Sequence, residues 1–419
     1  MGKLIEYDNG LRVIVEHIPS FRSAVIGFWV ATGSSNEDES NNGISHFTEH
    51  VMFKGTDKLS AFDIADSFEH LGANINAFTS KECTCYYLKT IDENTEKCFS
   101  LLSDIFFDST FPADELDKER NVILEEINMV EDSPEDICYD LLASARYGSH
   151  PLGKTILGPG ENVKRFTGTD VKKYMSQRYT ADNIVVSLAG NVTDKQADEF
   201  VNKYFMGRLN CNKGATEKLK KANSARRHAE RIKDFEQSNI AISFPSVPFN
   251  DPLSTTQAVL STLFGGAMSS RLFQRVREQL GLCYSIYTAP SSFVGNGSFN
   301  IVVNISAQNT QKTLDAIIDE IKRLLKDGVT DEELSRSKMQ LKSSCIFSQE
   351  NVQSIMLSNG KLLALTGEIY DIDKRIREID AVTKQGVMDF SEKLFKFDAV
   401  CSAYVGKDHG VDFNKMLSF

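Results

Sequence analysis

The chain has 419 residues and a formal net charge of −11, from 47 lysines and arginines against 58 aspartates and glutamates. That length exceeds one ordinary hydrophobic core and suits two domains of roughly 200 residues each, while an acidic excess excludes a nucleic-acid surface, which needs a clustered basic face. No run approaches the ~18 consecutive apolar residues of a membrane span.

The eight cysteines are scattered without a Cys-x-x-Cys pair, so they read as reduced thiols, with Cys83 and Cys85 packing on one side of a strand. Met1-Gly2-Lys3-Leu4-Ile5-Glu6-Tyr7 has neither the apolar core of a secretion signal nor the Arg/Ser-rich character of a transit peptide. Glu6 stands where a myristoylation site wants Ser or Thr. The expected location is the cytoplasm.

Alternating apolar residues predict strands over Leu11 to Glu16 and Ala24 to Ala31. Next comes His46-Phe47-Thr48-Glu49-His50. On a helix the two histidines fall at i and i+4, so they share a face and can grip one divalent ion, with Glu49 reaching toward the same ion. The order H-x-x-E-H inverts the commoner H-E-x-x-H of zinc proteases. Two histidines can also land four apart on an ordinary amphipathic helix, with Glu49 a solvated neighbour. A catalytic zinc uses three protein ligands and an open fourth position, so the metal reading requires one more carboxylate, histidine or thiolate.

Downstream, a helix is predicted over Ala61 to Leu71, a strand over Thr84 to Ile91 and a helix over Cys98 to Phe107. The segment Asp114 to Met129 reads as a helix on the apolar stripe of Leu116, Val122, Ile123, Ile127 and Val130. Glu119 and Glu126 are seven apart and share a face, so one could bind metal while the other supports it. A helix over Thr169 to Arg178 and a strand over Ile184 to Ala189 follow. The polar stretch from Asn210 to Arg227 then reads as a linker. Beyond it, a strand over Ser298 to Ile305 leads into a helix over Thr313 to Leu325.

The chain reads as built twice. Asp92-Glu93-Asn94-Thr95-Glu96-Lys97 is echoed 215 residues later by Ala307-Gln308-Asn309-Thr310-Gln311-Lys312, and Asp114-Glu115-Leu116 is echoed 218 later by Glu332-Glu333-Leu334. The expected organisation is an α+β domain over 1–209, a linker over 210–227 and a homologous domain over 228–419, each a mixed sheet with helices on one face. At the repeat offset Glu126 falls on Ser344, and no H-x-x-E-H occurs after residue 200. Any metal therefore belongs to the first copy alone.

The block Gly43 to Thr56, with Val122-Ile123-Leu124-Glu125-Glu126-Ile127, resembles the pitrilysin and mitochondrial processing peptidase family of inverted zinc metallopeptidases. Leu71 to Thr79 resembles the family's edge strand near the metal, and Thr155 to Gly158 and Ala189-Gly190-Asn191 resemble later blocks. The resemblance implies two related α+β halves that close like a clamshell. It also implies one zinc per chain, whose third ligand is a glutamate 76 residues past His50, which selects Glu126 over Glu125.

Glu49 then becomes the general base, Glu119 orients a ligand histidine or tunes the charge of the site, and substrate lies extended beside Asn76, Ala77 and Phe78. Ser269 to Tyr284 resembles the block that sends an arginine and a tyrosine to substrate. Arg277 and Tyr284 fit best, with Arg275 also open. Taken alone, that segment is a basic helix end and a strand tyrosine.

The implied function is a zinc endopeptidase that cleaves unfolded, extended and preferably basic peptides or presequence-like segments inside a closed chamber, with no membrane or nucleic-acid partner, acting alone or as a homodimer. The same family holds non-catalytic binding or scaffold subunits. Against that alternative stand the complete set His46, Glu49, His50 and Glu126 and the shortness of the glycine-rich stretch Phe264 to Met268.

Overall fold

The computed structural model describes residues 2–418 apart from 212–213, 215–218 and 224. These omitted positions include seven of the expected linker 210–227. The chain forms two compact units. The first comprises Met1–Ile127, Thr155–Lys218 and Phe347–Asp371, and the second comprises Asn128–Lys154, Leu219–Ile346 and Ile372–Phe419.

The first unit is built on six strands, β1 (Lys3–Glu6), β2 (Arg12–His17), β3 (Ser23–Val30), β4 (Asn74–Thr79), β5 (Thr84–Ile91) and β6 (Ile184–Gly190), in the order β1-β2-β6-β3-β5-β4. The β2/β6 pair is parallel and the others are antiparallel. β6 is buried throughout and β3 after its first residue, as expected of central strands covered on both faces. On one face Phe28 meets Phe99, Phe106 and Phe205 edge-to-face at centroid distances of 4.8–5.5 Å, an arrangement the ring quadrupoles favour.

The opposite face carries Ile14, Val25, Trp29, Val185 and Ala189. It is covered by the helix Val352–Thr366 through Val352, Ile355, Met356 and Leu363. Burying such side chains contributes about 1.5–3 kcal/mol each, far more than helix propensity, so tertiary packing fixes where this helix lies. Gly360 makes the close approach possible, because a Cβ there would sit 2.0 Å from Trp29 Nε1. The sheet thus has helices on both faces, where the sequence reading puts them on one. The reason is that the second layer comes from the distant second copy.

The second unit repeats this plan with β7 (Arg227–Ile232), β8 (Ser238–Pro245), β9 (Cys283–Thr288), β10 (Ser291–Phe293), β11 (Asn296–Ile305) and β12 (Cys401–Gly406). Its order is β10-β11-β8-β12-β7, with β9 also paired to β11. The path β7-β12-β8-β11-β9 matches β2-β6-β3-β5-β4, including the parallel pair. The registers agree as well, Ser23 facing Ile91 and Ser238 facing Ile305.

The helices recur in order too. Thr95–Asp108, Ala113–Glu131 and Pro134–Tyr147 answer to Thr310–Asp327, Asp331–Ser348 and Val352–Thr366. Here Pro134–Tyr147, from the first copy, packs Ile137, Cys138 and Leu142 on Ala241, Val302, Ala403 and Val405. The two copies therefore exchange one helix each, and a single division at 210–227 does not delimit the compact units.

Cys83 and Cys85 are buried beside Trp29. Among the described residues no helix is long and apolar enough to cross a membrane.

Candidate metal centre

The motif helix is Ile44–Val51. It begins at Gly43, whose φ of 100° a side chain would strain and whose Cβ position lies 2.6 Å from the Leu157 carbonyl oxygen. The buried Glu37 carboxylate accepts hydrogen bonds from the Gly43 N–H at 2.8 Å, Asn42 Nδ2 at 2.9 Å, the Ser45 N–H at 2.8 Å and the Ser45 hydroxyl. A carboxylate here satisfies the unpaired N–H groups of the first turn and complements the helix dipole. Burial pushes the Glu37 carboxyl up, and the four hydrogen bonds oppose that rise.

One turn into the helix, His46 Nε2 and His50 Nε2 lie 3.6 and 3.5 Å from Glu126 Oε2. Ligand atoms of the three residues all fall within 4.8 Å of one another. A tetrahedral ion with bonds of about 2.0–2.2 Å holds its donors roughly 3.3–3.6 Å apart, so the set fits zinc. Burial, followed by the neighbouring His50, pulls His46 down to about 3. The imidazole is neutral at ordinary pH, the form that binds metal. Among the described residues no second such group of ligands exists, and the second copy's Ser344 stands exposed.

Glu126 rides on the helix Ala113–Glu131, anchored by buried Leu116 and Ile123. Glu119, two turns earlier, places Oε2 3.1 Å from His50 Nδ1 and accepts a 2.7 Å bond from Lys54 Nζ at Oε1. Burial would raise the Glu119 carboxyl, but His50 and Lys54 outweigh it and hold it below the usual range. Ionised, it takes the Nδ1 proton of His50 as a hydrogen bond and leaves Nε2 free to face Glu126. Burial works to lower His50, and Glu119, Glu126 and Glu49 together reverse it. The local field favours a cation.

Glu49 Oε2 accepts a 2.6 Å hydrogen bond from Thr79 Oγ1. Burial pushes its carboxyl up, against Thr79 and His50 and with help from Glu126. Thr79 ends β4, the edge strand that carries Asn76, Ala77 and Phe78. There Asn76 Oδ1 accepts the Ala77 N–H at 2.8 Å, and Phe78 packs on Trp29 and Tyr87.

In the second unit Arg277 sits in a π-helical turn, Phe273–Gln279. Its guanidinium lies over the Phe273 ring at 4.6 Å and the Tyr284 ring at 5.9 Å, a cation–π arrangement. Tyr284 is 75% exposed on β9. Arg275 turns instead to Gln279 at 3.1 Å and toward Glu320, so Arg277 is the arginine that shares a surface with Tyr284.

Sequence reasoning missed Glu37, Lys54 and Thr79. Lys54 and Thr79 lay inside blocks already singled out, but a lone polar residue carries no periodicity to reveal its partner.

Residues 12–160 match the family model described as insulinase, peptidase family M16, and residues 165–341 match the one described as peptidase M16 inactive domain. The uncharacterized zinc protease YmxG of Bacillus subtilis is 42% identical over 398 residues, covering 95% of this chain and 97% of that protein. The chain belongs to peptidase family M16. A further relative, an uncharacterized zinc protease of Streptomyces coelicolor, is 34% identical over 90% of this chain and 84% of its own length.

The M16 fold is matched by two solved structures. A peptidase M16 inactive domain from Pseudomonas fluorescens superposes with a TM-score of 0.91 at 21% identity, covering 97% of this chain and 98% of that one. A protease from Helicobacter pylori gives 0.90 at 22% identity, covering 97% and 99%.

Proposed function

We propose that this chain is a zinc-dependent endopeptidase that cleaves extended, unfolded peptides. The observation that carries the reading is the convergence of His46, His50 and Glu126, with Glu49 beside them, in a chain of the M16 family. A zinc ion held there would polarise a peptide carbonyl and bring the pKa of a bound water toward neutrality. Glu49 keeps Oε2 on Thr79 and uses Oε1, which makes no hydrogen bond among the described residues, to take the water's proton and return it to the leaving amine. Glu119 and Lys54 fix the ring of His50.

The open side of β4, which faces no other strand among the described residues, receives substrate main chain at Asn76, Ala77 and Phe78 as an added strand that takes the Ala77 N–H over from Asn76 Oδ1, an interaction that depends little on side-chain sequence. Tyr284 donates to the developing oxyanion and Arg277 holds a substrate carbonyl. The charge of −11 draws basic peptides over longer range. The cytoplasm and a chain acting alone or as a homodimer complete the proposal. A purely scaffolding role would leave the intact ligand set without a use.

The test is elemental analysis beside hydrolysis of an unfolded basic peptide. Wild type should carry about one zinc per chain and lose activity on chelation. Glu49→Gln should keep its zinc and cut nothing. A zinc-free wild type, or an active Glu49→Gln protein, would overturn the reading.

A further inference from the structure

We propose that Thr79 is a positioning residue for Glu49, tying the orientation of the base to the end of the edge strand. This rests on the peptidase reading and deepens it. A glutamate's terminal torsion is broad and weakly held, so a carboxylate with one free oxygen needs an external constraint to aim it. The only hydrogen bond to Glu49's carboxylate among the described residues is the 2.6 Å bond from Thr79 Oγ1.

Thr79 can act as a fixed point because both of its flanks are locked. It faces Thr84 in the β4/β5 pair. The turn after it is closed by Ser80 N–H to the Cys83 carbonyl at 2.8 Å, by the Ser80 hydroxyl to the same carbonyl at 2.8 Å, and by Cys83 N–H to Ser80 Oγ at 3.1 Å. That turn is pinned in its turn by Ser34 N–H to the Ser80 carbonyl at 3.2 Å and Ser35 N–H to the Lys81 carbonyl at 2.7 Å. Two residues past Ser35 stands Glu37, which holds the first turn of the motif helix. One loop therefore fixes both the strand end and the helix start, and the Thr79–Glu49 bond closes the ring at the reactive end.

The experiment compares Thr79→Val, Thr79→Ser and Glu49→Gln with wild type. Valine keeps the branched shape that suits a strand and removes only the hydroxyl. Thr79→Val should lower kcat about 10- to 100-fold, the cost of a small misplacement of a reacting group, with KM and zinc affinity held within about twofold. Thr79→Ser should restore most of kcat. Crystal structures of the zinc-loaded proteins should show one Glu49 orientation in wild type and Thr79→Ser and a rotated or divided one in Thr79→Val.

An unmoved Glu49 in Thr79→Val, an unchanged kcat, or zinc loss in step with activity would each overturn the proposal. An inert, zinc-bearing Glu49→Gln protein would leave the peptidase reading standing in all of those cases. An active one would remove that reading separately, and the crystallographic comparison would still decide the role of Thr79.

Discussion

In the first copy the helix Ala113–Glu131 turns Glu119 and Glu126 toward two histidines, and in the second the matching helix Asp331–Ser348 offers an exposed Ser344 at the corresponding place. The carboxylate that matters on the second helix is Glu333, in its first turn. Glu333 takes two bonds from Arg271, at 2.7 and 2.8 Å, and accepts the Thr330 N–H at 2.9 Å. Burial alone would raise its pKa, but Arg271 and Thr330 bring it down to about 2.

Similar pairs form where edge strand meets helix. Thr79 reaches a glutamate, whereas Thr288 reaches the Ser261 hydroxyl at 2.8 Å and its carbonyl at 2.9 Å. The difference teaches that a duplicated scaffold can keep its hydrogen-bonding positions while one copy gathers them around a candidate metal centre and the other uses them to fasten helix ends.

The harshest way to erase the contrast is Glu126→Ser, which gives the first copy the residue of the second. It should abolish both zinc binding and hydrolysis with the circular dichroism spectrum intact, and retained stoichiometric zinc would refute the ligand assignment. Next in size, Tyr284→Phe and Arg277→Ala should each lower turnover by about 10²- to 10³-fold, the usual cost of an oxyanion donor, at unchanged zinc content. Wild-type kinetics in both would return the second copy to a purely structural role. Glu119→Gln should weaken zinc by about 10- to 100-fold, the range for groups that orient a ligand histidine. Lys54→Met should fall at the lower end, measured by competition with a chromogenic chelator.

The smallest effect on catalysis is expected at Glu333, where the readout is stability. Its folded pKa, near 2, lies below the ordinary value of 4.5. The ionised form is therefore favoured by folding. The resulting stabilisation, about 3 kcal/mol before solvent screening of this partly exposed pair reduces it, is complete above pH 4.5 and is lost as the pH falls toward 2. Urea midpoints of wild type and Glu333→Gln should differ clearly at pH 7 and converge near pH 2.

That His46, His50 and Glu126 come together was legible because helical spacing forces the two histidines onto one face and because a family resemblance chose between adjacent glutamates. The duplication was legible where turn residues repeat, as in Asn94-Thr95 and Asn309-Thr310. The helix exchange was not. The apolar residues of Val352–Thr366 announce burial but not which sheet receives them, since Ile355 and Met356 fit any flat apolar face. Lys54, Thr79 and Arg271 were beyond reach for a related reason, because the partner of each lies dozens of residues away and only the fold brings it near.

The exchanged helices also set an order of events during synthesis. When β6 leaves the ribosome at Gly190, the sheet face of Ile14, Val25, Trp29, Val185 and Ala189 is assembled but bare, and its cover ends at Thr366. At about 5–20 residues per second the wait is roughly 10–35 s. Throughout that interval a nascent chain presents an apolar sheet surface of the kind chaperones bind, and the first copy reaches its native packing only when the second is nearly complete.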